Sequence, residues 1–224
     1  MKKGAIFDMD GLLFDTERLY IEGMEAATRK AGVPHTQELE DALAGTNGAQ
    51  AIATIHAFFP HIDAAALLAD CTAYVRGVLD KSVPLMPGAR ELPAWLHEHG
   101  VYTAVASSTE KDLVLKNLRL AGIEDLFDVV VSGMEVAHGK PAPDIFLYAA
   151  ERLGLAPQDC FVFEDSVHGC RAGIAAGCAT VMVVDLFQPT EDIREGCAGI
   201  YDSLTDVLHD IRSYSNPGHP SGCK

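Results

Sequence analysis

The sequence predicts an α/β fold, in which a Rossmann-like parallel sheet is flanked by helices and an all-helical domain is inserted after the first strand. Short apolar runs, each long enough for one buried strand, alternate with amphipathic stretches of helical length. That alternation is typical of a parallel sheet covered on both faces. Between Leu13 and Met86 no strand candidate occurs and the apolar periodicity is helical throughout, which predicts the inserted domain.

The strand candidates define the order of the domains. They are the runs 5–7, 102–106, 129–131, 161–163 and 180–184. The turn-rich run PLMPG at 84–88 suits the return from the insertion to the sheet. We therefore expect a catalytic core of residues 1–14 and 87–213, a helical domain of residues 15–86, and a disordered tail of residues 214–224.

The composition describes a chain with a substantial core and an acidic surface. The chain has 224 residues, of which 48% are hydrophobic and 22% charged, enough for one domain that carries a smaller one. Seventeen Lys and Arg against 32 Asp and Glu give a net charge of -15, which repels polyanions. We therefore expect no nucleic acid polymer and no membrane surface as a partner, and a small anion needs a local positive site.

Cysteine usage and the first residues favour a cytoplasmic protein. Six cysteines are scattered without a CxxC pair, in a chain too large to need disulfides. After Lys2 and Lys3, the first apolar run covers only residues 5–7 and stops at Asp8, far short of a signal-peptide core, and no segment is long enough to span a bilayer. We expect reduced thiols. The sequence leaves open whether the protein is a monomer or a weak dimer.

Two acids, Asp8 and Asp10, follow the first strand at its carboxyl end, where ligand crevices form in open α/β sheets. Two charges about 5 Å apart repel by roughly 3 kcal/mol at an effective dielectric near 20, so a cation or raised pKa values must compensate. Oxygen ligands favour Mg²⁺ over zinc, and Gly11 lets a main-chain carbonyl face the ion as well. By itself, the pair also fits acids that end a strand and cap a helix.

Hydroxyl side chains follow the second strand at Ser107, Ser108 and Thr109. Hydroxyls beside the free backbone N–H groups of a helix start favour phosphate binding. Thr109 and Asp112 also have the spacing of a capping box. Taken by itself, the run fits a simple helix N-cap better than a phosphate site, because Ser and Thr are favoured caps.

Lys140 and the pair Glu164-Asp165 complete the set of polar groups near strand ends. Lys140 precedes Pro141, which favours extended backbone and makes it a fixed point charge for phosphate. Alone, it also fits an ordinary surface lysine. Glu164 and Asp165 end the fourth strand, and either can complete the metal site, while Ser166 is predicted to cap the next helix.

Together these motifs resemble the haloacid dehalogenase (HAD) superfamily of phosphohydrolases. They are DMDG at 8–11, Ser107, Lys140 within GKPAPD, and EDS at 164–166, in the family's order and across residues 4 to about 185. The segments 7–20, 85–89 and 138–146 look like the branch with a helical cap domain. That branch includes β-phosphoglucomutase, pseudouridine 5′-phosphatase and hexose-phosphate phosphatases, and segment 7–20 is most similar to pseudouridine phosphatase.

The resemblance implies a HAD-like core and a mechanism. Asp8 is expected to attack phosphorus and form an aspartyl-phosphate, and Asp10 to act as general acid and base. Ser107, Ser108 and Lys140 are expected to bind the phosphate, and Ser107 also to orient Asp8. The implied ligands of Mg²⁺ are Asp8, Asp10, Glu164 and Asp165. The expected activity is Mg²⁺-dependent hydrolysis of a small phosphomonoester, either a sugar phosphate or a nucleoside monophosphate.

Two other functions compete with hydrolysis. A phosphosugar mutase similar to β-phosphoglucomutase would need basic cap residues, whereas the segment 43–48 has no Lys or Arg and Tyr20 stands where mutases have a histidine. A phospho-acceptor signalling module would be smaller and would lack the helical insertion. The resemblance offers Thr16, Tyr20, Thr46 and Asn47 as cap residues that bind substrate, although Tyr20 fits the core of the cap equally.

Overall fold

One wholly parallel sheet forms the centre of the catalytic core in this computed structural model, which describes residues 2–43, 46 and 48–215. Within those residues the strands are β1 (Gly4–Phe7), β2 (Tyr102–Ser107), β3 (Val129–Ser132), β4 (Cys160–Glu164), β5 (Ala179–Val183) and β6 (Gly199–Tyr201). Their spatial order is β3-β2-β1-β4-β5-β6. The prediction of a Rossmann-like parallel sheet is therefore confirmed, and β6 is the strand that it missed.

Helices occupy the insertion and cover the sheet. The insertion contains α1 (Thr16–Ala31), α2 (Gln37–Leu43), α3 (Gly48–Phe58) and α4 (Ala64–Leu79). The helices that follow are α5 (Glu91–Glu98), α6 (Lys111–Ala121), α7 (Asp144–Arg152), α8 (Val167–Ala175), α9 (Glu191–Gly196) and α10 (Leu204–Ser215). Because α10 continues to Ser215, residues 214 and 215 of the predicted tail are helical, and residues 216–224 lie outside the described part of the chain.

The described residues divide into two compact units, each with its own core. One unit comprises the residues up to Phe14 and those from Leu85 onward, and the other comprises Asp15–Pro84. In the first unit, Ile6 and Val162 of the sheet pack with Phe146 of α7. The core of the second unit, hereafter the helical unit, includes Met24, Leu39, Ile55, Leu67 and Cys71.

The register of the sheet positions the functional residues. Phe7, the last residue of β1, is paired with Val105 of β2 and with Phe163 of β4. Asp8 therefore follows at the same level as Glu164. In this strand order the chain reverses direction beside β1, and the crevice that results at the carboxyl ends of the strands is where such folds bind ligands.

The helices and the cysteines bear on the predicted location of the protein. In the described part of the chain, no helix combines the length and the apolar character needed to cross a membrane. The cysteines in that part are free thiols: Cys71, Cys160, Cys170, Cys178 and Cys197.

Candidate active site

Three buried carboxylates meet where β1 and β4 end. One oxygen each of Asp8, Glu164 and Asp165 lies within 4.8 Å of the others, and the residues are 6%, 1% and 3% exposed. Charges at such separations repel by about 3 kcal/mol per pair even at an effective dielectric near 20. The cluster therefore requires positive charge, from the protein or from an ion.

Lys140 supplies positive charge from the protein. Its Nζ donates to Asp8 Oδ1 at 2.5 Å, to Glu164 Oε1 at 2.6 Å and to the carbonyl oxygen of Ala106 at 3.3 Å. Its side chain is 9% exposed, and Nζ lies 5.0 Å from the centre of the Phe146 ring. Lys140 is thus a buried cation between two acids, and the alternative of an ordinary surface lysine is wrong.

The balance of charge leaves the site short of positive charge. The pKa of Asp8 is raised to about 8, because burial, together with the neighbouring Glu164 and Asp10, outweighs the opposing effect of Lys140. Burial alone would lower the pKa of Lys140, but Asp8 and Glu164 outweigh it and the pKa is raised. A divalent cation would compensate the remaining negative charge, and the carboxylate oxygens are the ligands that Mg²⁺ prefers. The three acids therefore fit a magnesium site.

Asp10 lies with the hydroxyl groups. Its Oδ2 accepts hydrogen bonds from Thr109 Oγ1 at 2.8 Å and from Ser107 Oγ at 3.3 Å. Ser107, expected to orient Asp8, therefore donates to Asp10 instead. The group of carboxylates that could hold a metal among the described residues does not include Asp10. Asp10 as a metal ligand stays a prediction.

Thr109 has a different role from the predicted helix cap. Helix α6 begins at Lys111 with Glu110 as its N-cap and without a side-chain capping bond, so the capping box of Thr109 and Asp112 is wrong. The Thr109 hydroxyl bonds Asp10, and its backbone N–H donates to Ser107 Oγ at 3.0 Å. The sequence signal for this contact is a third hydroxyl residue directly after Ser107 and the exposed Ser108.

Glu164 is the anchor of Lys140. Its Oε2 accepts hydrogen bonds from the backbone N–H of Ser166 at 3.0 Å and from Ser166 Oγ at 2.9 Å, while Oε1 accepts from Lys140. Ser166 Oγ also accepts from the Gly169 N–H at 3.0 Å and so caps α8, as the sequence predicts. Both Glu164 oxygens are therefore bonded to protein donors.

Two glycines provide the space for these acids. Gly11 has a φ of 81°, in the region that favours glycine, and a Cβ there would overlap the Asp165 carboxylate. Gly169 is helical, and a Cβ there would overlap the Glu164 carboxylate. Neither position tolerates alanine without displacement of an acid of the cluster.

The substitution Gly169→Ala is therefore expected to destabilise the protein by about 1–3 kcal/mol, the usual cost of overpacking. The matched control is Gly77→Ala in α4, where a Cβ meets nothing within 4 Å. That change should stabilise by about 0.5–1 kcal/mol, because glycine inside a helix costs backbone entropy. Urea unfolding of both variants measures the difference. Equal stability changes in the two variants would contradict the close approach to Glu164.

Of the four predicted substrate-binding residues of the cap, the structure describes three, all in the helical unit. Thr16 is 1% exposed and begins α1, and Tyr20 is 43% exposed, so Tyr20 is not part of the helical core. The Thr46 hydroxyl donates to the carbonyl oxygen of Leu43 at 2.6 Å. Asn47 lies outside the described residues. Substrate binding by these four residues stays a prediction.

The sequence is similar to a protein family and to proteins named as phosphatases. A family model described as haloacid dehalogenase-like hydrolase matches residues 5–183. A Drosophila melanogaster protein named "Probable pseudouridine-5'-phosphatase" is 38% identical over 190 residues, which cover 81% of each chain. Hexitol phosphatase A of Escherichia coli K12 is 32% identical over 222 residues, 98% of this chain and 96% of that protein.

A solved structure shares the architecture. The crystal structure of a candidate β-phosphoglucomutase from Thermotoga maritima matches with a TM-score of 0.79 and 29% sequence identity. The match covers 94% of this chain and 99% of the other. The similarity therefore extends over both units and their order in the sequence.

Proposed function

The chain belongs to the haloacid dehalogenase-like hydrolases, whose family model matches residues 5–183, and we propose that it is a phosphatase that hydrolyses a small phosphomonoester with Asp8 as the nucleophile. The observation that carries the proposal is the contact between Asp8 and Lys140 inside a buried acid cluster at the carboxyl ends of β1 and β4. Phosphatase relatives over most of the chain support the same reaction class.

The proposed reaction has two displacements. An oxygen of Asp8 attacks phosphorus, the ester P–O bond breaks, and Asp10 gives a proton to the leaving alkoxide. Water then attacks the aspartyl-phosphate and gives a proton to Asp10, and inorganic phosphate leaves as the bond to Asp8 breaks. The hydroxyl groups of Thr109 and Ser107, which donate to Asp10 Oδ2, support the role of Asp10 in proton transfer because they hold its carboxylate in place.

Positive charge and hydrogen-bond donors are proposed to stabilise the transferred phosphoryl group. Lys140 is the buried cation beside Asp8, and Ser107 and Ser108 offer donors at the end of β2. Bound Mg²⁺ would supply the positive charge that the protein lacks. Asp8 and Asp165 would hold it, with Glu164 beside them and Asp10 as a further predicted ligand. Lys140 also donates to Asp8 Oδ1 and thereby holds that carboxylate in place.

The proposed substrate is a sugar phosphate or a nucleoside monophosphate. The named activities of the relatives, on hexitol phosphates and on pseudouridine 5′-phosphate, motivate both classes. We assign selection among them to the helical unit through Thr16, Tyr20, Thr46 and Asn47. A partner of this kind also agrees with the net charge of -15, since a small anion needs only a local positive site.

The test is a phosphate-release panel of sugar phosphates and nucleoside monophosphates, measured with Mg²⁺ and with EDTA. We expect turnover of at least one substrate that depends on the metal. No release from any monoester, or equal rates in EDTA, would contradict the proposal. The panel includes pseudouridine 5′-phosphate, so that its rate can be compared with the rates of the sugar phosphates.

A mutase is the second candidate, because the matched Thermotoga structure carries that description. A mutase would convert β-glucose 1-phosphate to glucose 6-phosphate when a bisphosphate primer is supplied, with little free phosphate. We expect much free phosphate and little glucose 6-phosphate, since the segment 43–48 has no Lys or Arg. A signalling module would instead hold a stable phospho-Asp8 without turnover.

Binding of Mg²⁺ is expected to stabilise the folded protein. At about 100 times its Kd, a ligand that binds only the folded state adds about 2.7 kcal/mol, which corresponds to about 5–10 °C in Tm for a chain of this size. The substitution Asp165→Asn should abolish most of the shift, whereas Asp159→Asn, at an exposed ion pair with Lys3, should retain it. Thermal unfolding with Mg²⁺ and with EDTA measures both. An undiminished shift in Asp165→Asn would place the ion elsewhere.

A further inference from the structure

Thr109 makes the shorter of the two hydroxyl contacts to Asp10. Its Oγ1 donates to Asp10 Oδ2 at 2.8 Å, whereas Ser107 Oγ lies 3.3 Å from the same oxygen. A hydrogen bond of 2.8 Å between a hydroxyl and a carboxylate has ordinary good geometry. Of these two hydroxyl groups, that of Thr109 is therefore the closer to the carboxylate oxygen.

Thr109 also orients the hydroxyl of Ser107, the second donor to Asp10. Its backbone N–H donates to Ser107 Oγ at 3.0 Å, so the Ser107 hydroxyl is an acceptor in that bond. A hydroxyl has a single proton to donate, and Ser107 Oγ donates to Asp10 Oδ2 at 3.3 Å. The backbone and the side chain of Thr109 thus act together on the same oxygen of Asp10.

The backbone of Thr109 is itself held by a buried residue. Ser132, the last residue of β3 and 0% exposed, donates from Oγ to the Thr109 carbonyl oxygen at 2.7 Å. Ser132 pairs with Ser107 in the register of β2 and β3, and its Oγ accepts from the Met134 N–H at 3.2 Å. The backbone of Thr109 is therefore held against the end of β3.

We propose that Thr109 is a positioning residue that holds the carboxylate of Asp10 in place for proton transfer to the leaving group. The proposal rests on the role proposed above for Asp10. A general acid acts only when its oxygen lies within hydrogen-bond reach of the atom that accepts the proton. A hydrogen bond from a residue whose backbone is held at the end of β3 limits rotation of the Asp10 carboxylate, so Thr109 acts through Asp10.

The test compares two substrates in Thr109→Val, which removes the hydroxyl and keeps the shape, and in Thr109→Ser, which keeps the hydroxyl. One substrate is an alkyl phosphate that the wild-type protein hydrolyses, and the other is 2,4-dinitrophenyl phosphate. The alkoxide leaves only with help from a general acid, whereas dinitrophenolate leaves unprotonated. The measured quantity is kcat/KM, because it covers the steps up to loss of the leaving group.

We expect Thr109→Val to lower kcat/KM about 10- to 100-fold for the alkyl phosphate and less than about threefold for the aryl phosphate, because loss of positioning removes part of the roughly 10²- to 10⁴-fold that a general acid contributes. Thr109→Ser should retain activity on both substrates within about threefold. The rescue by serine and the selectivity for leaving group would not result from a general loss of structure.

Equal losses on both substrates, or a serine variant no better than valine, would overturn the proposal. Asp10→Asn separates this failure from that of the proposed function. If Asp10→Asn is selective for the alkyl phosphate and Thr109→Val is not, only the role of Thr109 is wrong. If Asp10→Asn spares both substrates, the role of Asp10 is wrong and that of Thr109 fails with it.

Discussion

The substitution Asp8→Asn is expected to lower kcat by at least about 10⁴-fold, because an amide cannot form the acyl phosphate on which the two displacements depend. The change should leave the fold intact. Asn has nearly the shape of Asp, and Lys140 keeps its second partner, Glu164, at 2.6 Å. Phosphate release in saturating substrate and Mg²⁺ measures the loss.

Stability distinguishes this result from unfolding. Removal of one buried carboxylate relieves the repulsion within the acid cluster. The raised pKa of Asp8 reflects the same cost, because burial and the acidic neighbours disfavour its charged form. We therefore expect the free energy of unfolding of Asp8→Asn in EDTA to equal or exceed that of the wild type. Asp159→Asn is the matched control for both activity and stability. Activity of Asp8→Asn within tenfold of the wild type would exclude Asp8 as the nucleophile.

The substitution Lys140→Met is expected to impair both stability and activity. It leaves Asp8 and Glu164 buried without their shared cation, and removal of one partner of a buried ion pair typically costs about 3–5 kcal/mol. We expect kcat to fall about 100-fold or more as well, because the phosphoryl oxygens lose a fixed positive charge. Urea unfolding in EDTA and steady-state phosphate release measure the two effects.

A surface ion pair gives the control for Lys140. Lys3 pairs with Asp159 at 3.0 Å, but the two side chains are 69% and 43% exposed. Because solvent screens such pairs, Lys3→Met should change neither stability nor activity appreciably. Since a bound cation compensates part of the lost charge, Mg²⁺ should stabilise Lys140→Met more than it stabilises the wild type. A Lys140→Met protein as stable as Lys3→Met in EDTA would contradict the buried ion pair.

We expect these effects to differ in kind because the structure separates two groups of side chains. Asp8, Glu164 and Asp165 concentrate negative charge beside one lysine, whereas Asp10 lies with neutral hydroxyl donors. Changes in the first group alter the charge balance and thus stability and metal binding. Changes around Asp10 should alter proton transfer and leave the charge balance nearly unchanged.

The sequence by itself determined the sheet and the position of the acids along it. Buried parallel strands are continuous apolar runs, a local pattern, so the strands ending before Asp8 and at Glu164 could be recognised without the fold. Since the carboxyl ends of parallel strands meet at one edge, the acids were expected to meet there as well. The sequence did not predict strand β6, because its three residues, Gly199–Tyr201, are only half-buried and form no continuous apolar run.

Only the tertiary structure decided which groups bond each other. The sequence offered Thr109 as a helix cap, because capping is the local use of a hydroxyl, yet its acceptor Asp10 lies 99 residues away in the chain. Lys140 likewise reaches Asp8 across 132 residues. Spacing along the chain determines secondary structure, but the direction of a side chain within a few ångströms depends on the packed neighbours that all the strands bring together.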